Sequence, residues 1–412
     1  MVLTVNANDP LFSWNGGRTP EENTVVVPTV PELHTPVTPD TALTALAALR
    51  VVDTDVHHDY HDKEDLSPYL SQTYRERLRD YGFGGDGGLY ANNGGALGRR
   101  ADTLDPADPD DKTTAAKNVG NVRKLLLDGA GVDLALLTGS SLRTASGMAD
   151  LDYAAALCRA MNDHSINHWL AADPRFRLAM HVCAQDPEGA AAEIDRIGDH
   201  PGVVAVMVPC GALRPYGQRF YRPIHAACAR HNLTFAMHFG GEGSGTNPAP
   251  TAAGYPSYYI ESRLARPTFY QVHLASFVFE GVFERFPTLK VAMLESGFGW
   301  LPAYLWRMDS DWKSLRYETP WIARLPSEIV ADHVRFASQP MDEPDTKNDL
   351  LTLVRWMHGE RTLMFASDYP HFDWDDPAQS FTSFPADLRR RIFVENALDA
   401  FPKLAPTPVV AP

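Results

Sequence analysis

Cysteine is scarce: Cys158, Cys183, Cys210 and Cys228 are the only four in 412 residues, and no two stand close enough to form a ligand pair. Isolated cysteines of this kind argue for reduced thiols and against a disulfide framework. Basic residues are also in deficit, 37 Lys and Arg against 52 Asp and Glu, for a formal net charge of −15. A chain this acidic gains nothing from counterion release, so neither nucleic acid nor an acidic membrane is an expected partner. No apolar run approaches about eighteen residues, and no basic segment leading into an apolar stretch opens the chain. No membrane span or signal peptide is therefore read, and a cytoplasmic protein acting on a small molecule is expected. A nucleotide-binding loop is missing as well. The run GFGGDGG follows no strand directly and enters no clear helix, so it fails the structural context that such a motif requires.

What remains is 44% hydrophobic residues, enough for a large core. Residues 1–50, rich in Pro, Thr and Val, read as an extended N-terminal segment, and 51–405 as one domain. Residues 60–113 carry GFGGDGGLYANNGGALG and DTLDPADPDD. They read as a long insertion after the first strand, of a length more typical of lids than of connections. Short apolar runs then recur at 51–52, 132–138, 177–184, 203–209, 233–240, 290–296, 334–340 and 363–370. Helical-looking segments such as PEGAAAEIDRIGD, YRPIHAACARH and QVHLASFVFEGVFERF separate several of them. Alternation of this kind implies parallel strands covered by crossover helices, and eight such units close most simply into a (β/α)8, TIM-like barrel.

In such a barrel the carboxyl ends of all strands face one mouth. Those ends carry Asp53, Asp55 and His57 on strand one, His238 on strand five, Glu295 on strand six and Asp368 on strand eight. Asp55 and His57 are two residues apart, so they project from the same face of an extended segment. Alone, each has an ordinary structural explanation; their coincidence at successive strand ends points to one ion. Imidazole nitrogen with carboxylate oxygen suits Zn, Mn or Fe rather than calcium. The expected ligands are Asp55, His57, His238 and Asp368, with Asp53 behind them.

Four stretches, DTDVHH, AMHFGG, GVFERFPTLKVAMLESGFGWLPAYLWRMD and FASDYPH, together resemble the amidohydrolase-related family. The resemblance is to the mononuclear metal branch that includes aminocarboxymuconate-semialdehyde and resorcylate decarboxylases. RRRIFVENALDAF also looks like the family's helix after strand eight. The resemblance implies a metal-dependent barrel with one divalent ion, Zn or Mn, held by Asp55, His57, His238 and Asp368, no organic cofactor, and a homodimer. Two positions depart from the pattern. Asp55 stands where His or Glu is commoner, and Glu295 replaces the strand-six histidine that the decarboxylases use as an acid/base.

Hydrolysis of an amide, ester or lactone is the first expectation. A divalent ion acidifies water, Asp368 accepts its proton, and Glu295 assists the leaving group. Non-oxidative decarboxylation of an aromatic or unsaturated acid is the alternative, with His273 or His58 as substitute imidazoles. Hydration, cyclisation or a non-catalytic binding module rank lower. The substrate wall is expected to use His58, Tyr255, Tyr259, Phe298, Trp300 and His371, with Arg214 as a carboxylate anchor ahead of Arg219 and Arg307.

Overall fold

The computed structural model describes residues 48–83, 116–139, 145 and 147–404. The expected N-terminal segment up to residue 47 and residues 84–113 of the expected lid lie outside them. The eight apolar runs become eight parallel strands in sequential order. These are β1 (Val52–Val56), β2 (Leu134–Leu137), β3 (Phe176–His181), β4 (Val203–Pro209), β5 (Thr234–His238), β6 (Val291–Met293), β7 (Val334–Ala337) and β8 (Leu363–Met364). The chain beyond β8 closes the ring. Thr54 donates its N–H to the Phe365 carbonyl (3.1 Å), Asp368 donates to Asp55 (3.1 Å), and His57 donates to Tyr369 (2.8 Å).

Burial on both faces explains why the strands read as unbroken apolar runs. Every residue of β4, for example, is buried. The cover is supplied by helices α1 (Gln72–Tyr81), α2 (Leu151–His164), α3 (Pro187–Ile197), α4 (Arg222–Arg230), α5 (Tyr259–Phe279), α6 (Leu301–Leu315), α7 (Pro326–His333) and α8 (Lys347–Trp356). Their starts are set locally. Asp150 accepts the Tyr153 N–H (3.0 Å) to open α2, and Asp186 accepts the Gly189 N–H (3.1 Å) to open α3, ahead of Pro187. Both are N-caps that satisfy otherwise unpaired first-turn donors.

Two elements differ from the sequence expectation. The described start of the insertion is helical, with a tight turn at Lys63–Tyr69 followed by α1. Asp62 and Asp65 form a capping box there, and Ser71 caps α1. Second, the helix after β5 begins at Tyr259 rather than near Gln271. Glu261 reaches back to the Tyr258 N–H (2.7 Å) and starts it early, and Pro267 is carried inside the helix. That early start brings Tyr259 and Arg266 to the barrel mouth.

The core also holds a histidine with a pH consequence. His225 on α4 is fully buried among Phe235, Phe277 and Phe286, and burial drives its pKa down to about 3. The folded state therefore binds fewer protons than the unfolded chain between roughly pH 6.5 and pH 3, so stability falls as pH drops through that window. His225→Leu is expected to flatten the loss by up to about 1.4 kcal/mol per pH unit. Denaturation midpoints at pH 7 and pH 4.5 check this; an unchanged difference between the two proteins counts against it.

Candidate metal and active site

At the mouth the backbone first aims two imidazoles. His57 Nδ1 lies 2.9 Å from the Gly139 carbonyl and His238 Nδ1 lies 2.7 Å from the Phe239 carbonyl. A carbonyl only accepts, so both Nδ1 atoms carry the proton and both Nε2 atoms face inward as the nitrogens that would ligate a metal. Asp55 is oriented in the same way by Thr138 at the end of β2, whose hydroxyl donates to Asp55 Oδ1 (2.7 Å). His57 Nε2, His238 Nε2 and Asp55 Oδ2 are then buried atoms with no hydrogen-bond partner in good geometry. They sit close together all the same. His238 Nε2 is 3.3 Å from Asp55 Oδ2, and His57 Nε2 is 2.9 Å from Asp368 Oδ1.

Buried polar atoms that converge without pairing need a missing partner. A divalent cation satisfies all of them at once, and this mixed imidazole–carboxylate donor set fits one. Electrostatics agree. Burial opposes a charge on His238, yet Asp55 and Glu295 outweigh it and push its pKa up to about 10. The surroundings therefore favour positive charge at the cluster. Asp55 is buried too, but His238 and then His57 hold its carboxyl below the usual range.

Asp368 and Glu295 both occupy left-handed backbone, with φ of 60° and 51°. Non-glycine residues rarely adopt it, at a cost of about 1–3 kcal/mol each where the structure enforces it. The result is two carboxylates turned toward one space. His57, Glu295, Asp368 and His371 offer donor atoms all within 4.8 Å of one another, as do Asp55, His57 and His238. His371 joins through Asp368 Oδ1, 2.6 Å from its Nδ1, while Glu295 Oε1 is 3.8 Å away. Its ring centre lies 4.1 Å from that of His57. Burial works against charging His371, and Asp368 and Glu295 more than compensate, so its pKa rises.

Asp53 is a brace behind the cluster. Its Oδ1 accepts the N–H groups of Ser367 (2.9 Å) and Asp55 (3.2 Å), and burial raises its pKa to about 7. Other expected site residues are not brought to the cluster. His273 stacks on Tyr216 with both ring nitrogens used: Nδ1 accepts the Tyr216 N–H (3.0 Å) and Nε2 donates to the Cys210 carbonyl (2.9 Å). It ties two backbone segments together and is not brought to the cluster, although a catalytic role was expected for it. His58 has the opposite parity to His57 and turns away, Nε2 meeting Ser165 Oγ at 2.7 Å with its ring edge on Trp169.

Phe298 is wholly buried. Trp300 is tied by its indole N–H to the Ser296 and Gly297 carbonyls and packs on Phe336. Tyr255 is 63% exposed. Arg214 is an exposed residue lying over Phe220, and Arg307 pairs with Asp311 within its own helix. None of these touches the cluster. Tyr259 reaches it indirectly, accepting from Arg266 Nη2 (3.2 Å).

Arg266 is the residue that the sequence did not reveal. Its Nη1 lies 3.2 Å from Glu295 Oε2, and both side chains are only 6% exposed. Although burial acts to raise the Glu295 pKa, Arg266 and then His238 hold it well below the usual carboxylate range. The buried ion pair with Arg266 favours the carboxylate form of Glu295, for which a proton-donor role was expected.

The profile of the amidohydrolase family matches residues 52–403, and the match spans the barrel and every member of the cluster. The chain belongs to the amidohydrolase family. It is an enzyme of that superfamily. Gamma-resorcylate decarboxylase from Polaromonas sp. is 24% identical over 297 residues, which cover 68% of this chain and 86% of that protein. An amidohydrolase structure from Mycobacterium avium subsp. paratuberculosis superposes with a TM-score of 0.65 at 20% identity, covering 86% of this amidohydrolase and 99% of that chain. A 5-carboxyvanillate decarboxylase from Novosphingobium aromaticivorans, complexed with manganese and 4-hydroxy-3-methoxy-5-nitrobenzoic acid, superposes at 0.61 with 19% identity, covering 86% and 96%. Among the described residues, no helix is long and apolar enough to cross a membrane.

Proposed function

We propose that this amidohydrolase is a metal-dependent, non-oxidative decarboxylase of a hydroxylated aromatic acid. The observation that carries the reading is the His371 imidazole, held 2.6 Å from Asp368 with its ring centre 4.1 Å from that of His57 and tilted against it, at the rim of the cluster. The naming of the Polaromonas relative supports it, as does the manganese in the carboxyvanillate decarboxylase. Hydrolysis, the first expectation from sequence, gives way because similar proteins are decarboxylases and Glu295, its intended proton donor, is ion-paired with Arg266.

A divalent ion, manganese or zinc, held by Asp55, His57, His238 and Asp368, would supply Lewis-acid attraction for the substrate carboxylate and a neighbouring phenolic oxygen. The chain's own residues then move the proton. Asp368 orients the His371 ring, and His371 gives its proton to the ring carbon bearing the carboxylate. The carbon–carbon bond breaks, its electron pair returns to the ring to restore aromaticity, and carbon dioxide leaves. The His371 side chain is 26% exposed, so it recovers a proton from solvent. Acid anion plus proton thus gives arene plus carbon dioxide, with no oxidant.

The test is a panel of hydroxybenzoates alongside esters, amides and lactones, run with manganese-loaded and metal-stripped protein. Carbon dioxide release from hydroxybenzoates, lost on stripping and restored by manganese, is the expected result. Turnover of an ester or lactone with no carbon dioxide from any acid would overturn the assignment.

A further inference from the structure

We infer that Arg266 is a positioning residue that holds the Glu295 side chain aimed at His371. The inference rests on the decarboxylase reading above, because it acts through the proton carrier named there.

Three contacts immobilise the guanidinium. Its Nη1 pairs with Glu295 Oε2 at 3.2 Å, its Nη2 donates to the Tyr259 hydroxyl at 3.2 Å, and its central carbon lies 3.5 Å from the centre of the Phe239 ring. Phe239 follows His238 directly in the chain, and its carbonyl receives the His238 Nδ1 proton. Arg266 therefore ties the end of β5 to the end of β6 from a perch on α5. An ion pair buried this far gives back little net stability, since desolvation cancels most of the attraction. Its consequence is geometric. With Oε2 held by Arg266, Oε1 faces His371 Nδ1 across 3.8 Å.

The left-handed backbone at Glu295, φ 51°, is a second and independent investment in the same direction. His371 is thus flanked by two carboxylates, Asp368 at 2.6 Å and Glu295 at 3.8 Å. The His371 ring has a carboxylate on each side only while Glu295 points that way. Lysine would keep the charge of Arg266 but lose both the fork and the flat stacking surface.

A double-mutant cycle reads this coupling. For wild type, Arg266→Met, Glu295→Gln and the double variant, all manganese-loaded, kcat, KM and bound metal are measured with the hydroxybenzoate that wild type decarboxylates best. Each single change is expected to lower kcat about 100-fold, in the range for a displaced proton-transfer partner. KM and bound manganese stay within about three-fold, because neither residue is asked to hold the ion or the substrate. The double variant is expected to be no worse than the poorer single, not about 10⁴-fold down. Arg266→Lys is expected to recover part of the loss. If Arg266→Met does not fold, the same cycle is closed with Arg266→Lys and Glu295→Gln. A purely structural Arg266 would give independent losses in kcat that multiply, and that result would overturn the inference, as would an unimpaired Arg266→Met. Carbon dioxide from wild type with multiplying losses sinks this inference alone. No carbon dioxide from wild type on any acid sinks the decarboxylase reading, and this inference with it.

Discussion

His57→Ala is expected to leave the folded chain unable to retain manganese and to lower turnover by about 10³-fold or more, since the ion contributes several kcal/mol of transition-state stabilisation. His57 is the residue that both donor groups share. Its Nε2 faces the cluster while Nδ1 is tied to the Gly139 carbonyl, and its ring supports His371. The neighbouring His58 provides the control. It holds Ser165 on the far side of the strand, so His58→Ala should cost about 1–2 kcal/mol of stability through an unpaired buried partner while bound metal is retained. Metal analysis after gel filtration, with a thermal melt of each variant, separates the two. Equal manganese in wild type and His57→Ala would contradict the ligand assignment.

Asp368→Asn is the second large effect. Asparagine tolerates left-handed backbone nearly as well as aspartate, so the φ of 60° at this position is no obstacle to folding. What changes is chemistry. The amide carries no charge to oppose the cluster's cation, and it is a poorer acceptor for the His371 Nδ1–H that sits 2.6 Å from the carboxylate. Turnover is expected to fall about 10²–10⁴-fold, the usual contribution of a positioned proton carrier. Metal affinity should fall less, because Asp55, His57 and His238 remain. Single-turnover kinetics at saturating manganese isolate the proton step from metal loss. Unchanged turnover would remove Asp368 and His371 from the proton path together.

The barrel was legible because both faces of each strand are covered. VVAVMVP has no polar residue to disguise it, and the corresponding β4 is buried from end to end. The strand-end inventory was legible for a related reason. A parallel barrel gives every strand the same polarity, so chemistry at one end of each run gathers at one mouth. The same strand parity that turns His57 inward argues against His58, expected at the substrate wall, which faces Ser165 instead.

Contacts made by helices were harder to read. Pro267 sits inside α5, whose start is set by the backward reach of Glu261 to Tyr258. Once that helix is read as beginning twelve residues late, Arg266 has no place at the mouth and Glu295 has no counterion. His273 misled for the opposite reason. Helical position shows which way a ring points, but not that two backbone groups already occupy both of its nitrogens. The aromatics expected at the wall were hard to read similarly: Phe298 and Trp300 follow a strand end closely, yet Phe298 is buried and Trp300 is tied to the Ser296 and Gly297 carbonyls and packs on Phe336.

The most direct test of the central claim is a manganese titration of metal-stripped protein, followed by the electron paramagnetic resonance of the free ion. It is run on wild type and on His238→Ala, with folding of both verified by circular dichroism. Convergence of Asp55, His57, His238 and Asp368 predicts a single tight site per wild-type chain, lost or weakened at least about 100-fold in the variant. Absence of a tight site in the folded wild type, or an undiminished one in His238→Ala, would contradict the account.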